Sequence, residues 1–196
     1  NGRRLMADLI ELIQSRQSNP LLKAPSPSEQ EWQRVIETAC CAPDHGRLRP
    51  WQFRLIEGDN LKKLGEVFIT AQTKALADEG QLPTEQQINR TKGLPLRAPA
   101  ILAVVATLQE EHKIPVVEQI SAVAAATQNI QLALHSLGYG CIWRTGDFAF
   151  YDDVKKSLGF EVSDEIIGFL YVGTPDKAPA PRTLQPTESC FKHWQG

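Results

Sequence analysis

The run Ala100–Ala106, AILAVVA, is apolar at every position. It is far too short to span a bilayer, which takes about 20 residues as a helix. Its length is that of a strand, and a strand with no wet face belongs in the middle of a sheet. The rest of the chain has to supply the layers around it.

Elsewhere helical and strand patterns alternate. Leu5, Met6, Leu9, Ile10, Leu12 and Ile13 form the stripe of an amphipathic helix over 5–17, stopped by Asn19 and Pro20. Ala24 to Ser28 is an extended connector. Ser28 with Glu31 is a capping box, and the helix behind it buries Trp32, Val35, Ile36 and Ala39 before Pro43. Trp51, Phe53 and Leu55 alternate with Gln52 and Arg54, a half-buried strand. Leu61, Leu64, Val67, Phe68 and Ala71 mark a long helix, and a polar helix over 85–92 ends at Gly93 and Pro95. Pro115 opens a helix that reaches Leu137 and stops at Gly138; its rows of Ala and Ser permit close approach of another backbone. A strand over 139–144, a helix over 151–158 and a strand over 166–172 follow. From Thr174 four prolines predict a tail lying extended over a neighbour. No repeat or linker divides the sequence, so residues 1–196 read as one α+β domain.

A formal charge of −2 gives no electrostatic case for nucleic acid or an anionic membrane. Cys40, Cys41, Cys141 and Cys190 contain no C-x-x-C and read as buried apolar thiols, with a reducing cytoplasm as the expected setting. His45, His112, His135 and His193 have no metal-ligand spacing, so no metal is expected. His135 reads as a packed core histidine, His112 as part of a solvated loop, and Glu118 first as an exposed carboxylate near a helix start, with membership of a buried pair as the alternative.

Two polar clusters carry the available chemistry. The first, A-P-D-H-G-R-L-R-P-W-Q-F over 42–53, sets Asp44, His45, Arg47 and Arg49 in a proline-bounded loop beside Trp51. That mixture suits a flat ligand with a polar, partly anionic rim, although Trp51 also reads as core and Arg49 as a surface ion-pair partner. The second, G-Y-G-C-I-W-R-T-G over 138–146, delivers Trp143, Arg144 and Thr145 at the end of a strand. It is no dinucleotide fingerprint, because a helix precedes it and a strand follows. With no nucleophile, metal site or acid–base dyad, a bound redox cofactor is the simplest source of chemistry. For a flavin mononucleotide (FMN), Arg16 and Ser18 suit the phosphate. The backbone at Thr145–Gly146 and the side chains of His45 or Lys92 suit the ring edge.

Five blocks then resemble a known family in order: S-R-Q-S, A-P-D-H-x-x-x-R-P-W-x-F, L-R-A-P, G-x-G-x-I-W-R-T-G and G-F-L-Y-V-G-T-P. The sequence is similar to the short-chain (minimal) branch of the flavin-dependent nitroreductases, from about Leu9 to Pro175. The resemblance implies a nitroreductase-like fold, a central, mostly antiparallel sheet flanked by helices in an intertwined homodimer. It implies FMN at the subunit interface, with Arg16, Gln17 and Ser18 on the phosphate and ribityl chain. Cys41, Asp44, His45 and Arg47 would reach the flavin from the partner subunit. Trp143, Arg144, Thr145 and the Gly146 amide would border the ring near N5, and Lys177 and Arg182 would add phosphate contacts. Gln17 stands where a second arginine is common. The expected activity is hydride transfer from NADH or NADPH through the flavin to a nitroaromatic, quinone or similar electron-poor acceptor. No side chain is expected to be catalytic in its own right. The alternative is a flavin-binding dimer without efficient turnover, a sensor or flavin reservoir.

Overall fold

The strand Ala100–Ala106 (β3) pairs antiparallel with Trp51–Glu57 (β2) on one side and Glu165–Pro175 (β5) on the other. Its central place follows from its composition: every one of its residues is 2% exposed or less. The computed structural model describes residues 9–195. Within them β5 also pairs antiparallel with Gly140–Arg144 (β4) and with the two-residue strand Leu22–Lys23 (β1), completing a five-stranded sheet.

Alternation along β3 assigns its side chains to two separate cores. Ala100, Leu102, Val104 and Ala106 join Trp32 and Val35 of the helix Glu29–Ala39 (α2) and Val123, Ile130 and Leu134 of the helix Val116–Ser136 (α5). Ile101, Ala103 and Val105 join Leu61, Leu64 and Phe68 of the helix Asp59–Asp78 (α3) and Val154 of the helix Asp152–Ser157 (α6). Full burial of a side chain such as Leu102 or Ile130 contributes about 1.5–3 kcal/mol, so the two helical layers hold the sheet from both faces. The α+β reading stands.

Local signals fix the helices. Ser28 and Glu31 form the expected capping box, and the Glu31 carboxylate also accepts from the Tyr139 hydroxyl at 2.9 Å, tying α2 to the approach of β4. The Ser28 backbone N–H is the main reason that the Glu31 carboxyl titrates below its ordinary value. The polar helix Glu85–Lys92 (α4) has a second capping box, Thr84 with Gln87. In α5 the small residues let α2 approach, and Asn129 Nδ2 donates to the Thr38 carbonyl at 3.0 Å.

Some expectations are corrected. Of the first helix, Leu9–Ser15 (α1) is described; Leu5 and Met6 lie outside the described residues. Leu55 shares a sheet face with Trp51 and Phe53 but is exposed, while Ile56 is buried on the opposite face. β2 is an edge strand, and Leu55 stands beyond the cover of α2 and α5. Only Cys141 is a buried thiol; Cys40, Cys41 and Cys190 are exposed, because the first two follow the last turn of α2 and the third lies in the tail. β5 runs through Pro175, so the tail begins at Asp176 rather than Thr174. It is tied down at its start by Asp176 N donating to the Leu21 carbonyl and Asn19 Nδ2 donating to the Lys177 carbonyl. Among the described residues no helix is long and apolar enough to cross a membrane.

Candidate functional site

Residues from the chain's beginning, α5 and the tail meet beside the start of β4. Arg16 follows α1 directly and is half-buried. Burial is the main cause that pushes its guanidinium below the ordinary range, and Arg182 adds to the shift; Cys141 works the other way. Arg182 thus adds like charge to the surroundings of Arg16, and among the described residues neither guanidinium forms an ion pair. Like charges so placed are stabilised by a polyvalent anion. Ser15 Oγ lies 2.9 Å from Nε2 of His135, whose imidazole is held below its ordinary value by burial and then by Arg16. His135 is therefore half-buried and partnered, and it also belongs to this cluster, which its apolar helix did not reveal. Gln17 Nε2 donates to the Ala180 carbonyl at 2.7 Å, and Ser18 is exposed. Of the three consecutive candidates, Arg16 is the one whose titration is shifted by another cation.

The loop between α2 and β2 is built by its backbone. Gly46, Arg47 and Arg49 all have positive φ, at 78°, 56° and 50°. For non-glycine residues that region is unfavourable, and such strain concentrates where function over-determines the backbone. Asp44 holds the turn closed, its Oδ2 accepting from the Arg49 N–H at 2.7 Å. His45 Nδ1 meets Glu118 Oε2 at 2.6 Å, so Glu118 is exposed as expected but has a partner. Cys41 is exposed, with its Sγ donating to the Glu37 carbonyl at 3.4 Å. Lys92 is likewise engaged, pairing with Glu66 at 2.9 Å.

His45 and Arg16 therefore sit at opposite ends of α5, one by Glu118 and the other by His135. At 1.5 Å per residue the two ends are about 25 Å apart. The structure brings Arg16 together with Arg182 and His135, and Asp44 together with Arg49, but it does not bring the two clusters to one point within a protomer.

The end of β4 separates two cavities. Consecutive strand residues point to opposite faces, so Trp143 and Arg144 diverge. Trp143 donates from Nε1 to the Ile167 carbonyl at 3.0 Å and lines a largely apolar cavity of about 680 Å³ with Ile120, Ala124 and Phe150. Arg144 lines a cavity of about 430 Å³ on the other face. Thr145 borders both cavities, and Gly146, at φ 64°, turns the chain between them.

A family model described as the nitroreductase family matches residues 13–174, spanning both polar clusters and the whole sheet apart from Pro175. The chain belongs to the nitroreductase family. It is 34% identical over 168 residues, 86% of its own length and 88% of the other's, to the Escherichia coli (strain K12) protein named "Putative NAD(P)H nitroreductase YdjA". Its fold is that of other nitroreductases: it superposes on a nitroreductase-like family protein from Bacillus cereus with a TM-score of 0.84, at 23% identity and full coverage of both chains. The FMN-dependent nitroreductase NfnB from Mycobacterium smegmatis, solved in complex with NADPH, gives a TM-score of 0.71 at 17% identity, covering 96% of this chain and all of that one.

Proposed function

We propose that this nitroreductase binds FMN and reduces an electron-poor acceptor, such as a nitroaromatic or quinone, at the expense of NADH or NADPH. The observation that carries the reading is the half-buried Arg16, without a carboxylate partner among the described residues and next to Ser15, which bonds His135, in a chain of this family. An unpaired guanidinium with a hydroxyl beside it suits a phosphate, so the residues present fit the cofactor. The chemistry that FMN supplies when bound is two-electron transfer, hydride entering at N5 from the nicotinamide and leaving to the acceptor.

The chain's own part is binding, orientation and exclusion of water. Arg16 and Arg182 would hold the phosphate, with Ser18 and the Gln17 backbone near the ribityl chain. The Thr145–Gly146 backbone would offer N–H groups to the ring edge, and Trp143 an apolar wall. Three of the chain's thiols are exposed and unpaired, which agrees with a cytoplasmic setting.

The 25 Å between the His45 and Arg16 ends of α5 supports assembly as a homodimer. In that arrangement Asp44, His45, Arg47 and Cys41 of one protomer would complete the cleft of the other. Exposed Leu9, Ile10 and Val117, at 64%, 61% and 67%, are apolar surface that such an interface would cover.

The deciding experiment is purification without added flavin, followed by FMN quantitation per subunit and stopped-flow mixing with NADH or NADPH. One FMN per subunit that bleaches with either donor is the expected result. FMN that bleaches but turns over acceptors no faster than free FMN would favour a flavin reservoir, and absence of FMN binding would overturn the reading.

A further inference from the structure

Ser15 closes α1 one residue ahead of Arg16, and its hydroxyl stands between two groups. Oγ donates to the Leu12 carbonyl at 3.1 Å and lies 2.9 Å from His135 Nε2. A hydroxyl has one proton to give and two lone pairs with which to accept. With that proton on Leu12, the second bond runs from the imidazole Nε2–H to Ser15 Oγ. The Leu12 carbonyl also accepts from the Arg16 N–H at 3.2 Å. Ser15 can therefore turn its proton to a new acceptor without leaving that carbonyl unpaired.

His135 has no countercharge. Among the described residues no carboxylate bonds to it. Arg16, following α1, opposes its protonation, and Arg182 of the tail acts in turn on Arg16. The buried Cys141 thiol of β4, pushed up to about 12, is neutral beside them. Tyr139 gives its hydroxyl to Glu31. Burial and then Arg16 hold the imidazole below its ordinary value, so it is neutral at neutral pH in the flavin-free chain. The ring lines a cavity of about 180 Å³ with Gln17, Asn19, Tyr139 and Pro179, so solvent protons reach it. That volume is below the range of whole small-ligand sites, about 300–1,000 Å³, and suits one group of a ligand rather than a ring.

We propose that Ser15 and His135 form a hydrogen-bonded relay in the phosphate site: Ser15 donates its hydroxyl proton to a phosphate oxygen, His135 donates Nε2–H to Ser15, and the imidazole takes up a proton from solvent as the phosphate docks. The proposal rests on the FMN reading above and deepens it. The phosphate supplies the countercharge that the ring lacks, and an opposite charge close by favours the imidazolium. A site that gains a proton with its ligand holds that ligand best at low pH and loses affinity as pH rises through the bound-state value. His135 acts through Ser15 and is a positioning residue.

The test is an NMR titration of the His135 ring, identified by its absence in His135→Gln, in the full chain stripped of flavin. It is repeated with FMN, with riboflavin, which lacks the phosphate, and with inorganic sulfate, whose double charge is constant over the range used. FMN affinity is measured in parallel from about pH 6 to 8 for wild type, His135→Gln and Ser15→Ala, with circular dichroism to check folding. FMN and sulfate should each raise the His135 titration by about one pH unit or more, and riboflavin should not. Relative to His135→Gln, which cancels the phosphate's own titration, wild-type FMN affinity should fall about tenfold across that range. Ser15 is exposed, so Ser15→Ala should fold, bind FMN about tenfold more weakly and lose the pH dependence. FMN that binds without moving His135, or with unchanged affinity in Ser15→Ala, overturns the relay and leaves the FMN reading standing. A chain that refuses FMN while sulfate raises the His135 titration sinks the FMN reading and keeps the relay as an anion site. Binding of neither overturns both.

Discussion

His45 Nδ1 and Glu118 Oε2 stand 2.6 Å apart, joining the loop ahead of β2 to the first turn of α5 across 73 residues of sequence. Both side chains are largely in solvent, so the pair itself contributes no more than about 1 kcal/mol. Its use is to aim the imidazole. A double-mutant cycle with His45→Ala and Glu118→Ala, followed by urea unfolding, is expected to show a coupling below about 1 kcal/mol. FMN affinity should nevertheless fall in His45→Ala. An unchanged affinity would take His45 out of the site.

Gly168 is where Trp143 crosses β5. A Cβ at this position would overlap Trp143 Nε1 and stand 3.0 Å from the Arg144 carbonyl oxygen. Gly168→Ala must therefore displace the indole and break its bond to the Ile167 carbonyl. The expected loss is about 1–3 kcal/mol, as for other overpacked sites. Denaturant midpoints and a shifted tryptophan emission would report it, and an unaltered emission would count against the crossing.

Burial pushes the Cys141 thiol up to about 12, while the other three cysteines are exposed. An aromatic disulfide reagent at pH 8 should titrate three thiols in the folded protein and the fourth only after unfolding. A second consequence concerns stability. Above pH 9 the unfolded chain releases the Cys141 proton and the folded chain keeps it, so the folded state binds more protons. Stability should accordingly decline as pH rises from about 9 towards 12. In Cys141→Ala that decline should be shallower.

Gln119 is almost fully buried and has every near contact satisfied by backbone. Its Oε1 accepts from the Gln109 N–H at 2.9 Å, and its Nε2 donates to the carbonyls of Gln109 and Ile114 at 3.1 and 2.9 Å. It therefore clamps the loop between β3 and α5, which includes Leu108 and Glu110 of the Trp143 cavity. Gln119→Leu keeps the volume but strands those backbone groups. About 1–3 kcal/mol should be lost, with faster amide exchange at Gln109.

The sequence revealed most where a single local pattern decides the outcome. AILAVVA could only be an interior strand, and Ser28 with Glu31 could be read as a helix start without any knowledge of what the helix touches. It revealed least where partners are distant in sequence. Nothing near Glu118 announces His45, and nothing near Arg16 announces Arg182 or His135. The cysteines misled because apolar character predicts burial only where a layer covers the residue, and Cys40 and Cys41 lie past the end of α2. Leu55 failed in the same way: alternation named its face correctly, but not how far α2 and α5 reach across that face. Within the site, the strand 140–144 was legible, whereas the divergence of Trp143 and Arg144 into separate cavities mattered only once both sides of the sheet were filled.

β5 bonds to β1, β3 and β4, and among the described strands it comes last in chain order. During synthesis β3 therefore leaves the ribosome with one long edge unpaired, and that edge stays open until Glu165–Pro175 emerges. A nascent or truncated product ending before residue 165 exposes one edge of the fully apolar strand β3 along its whole length. Quality control of this protein in the cell thus turns on the arrival of one late strand.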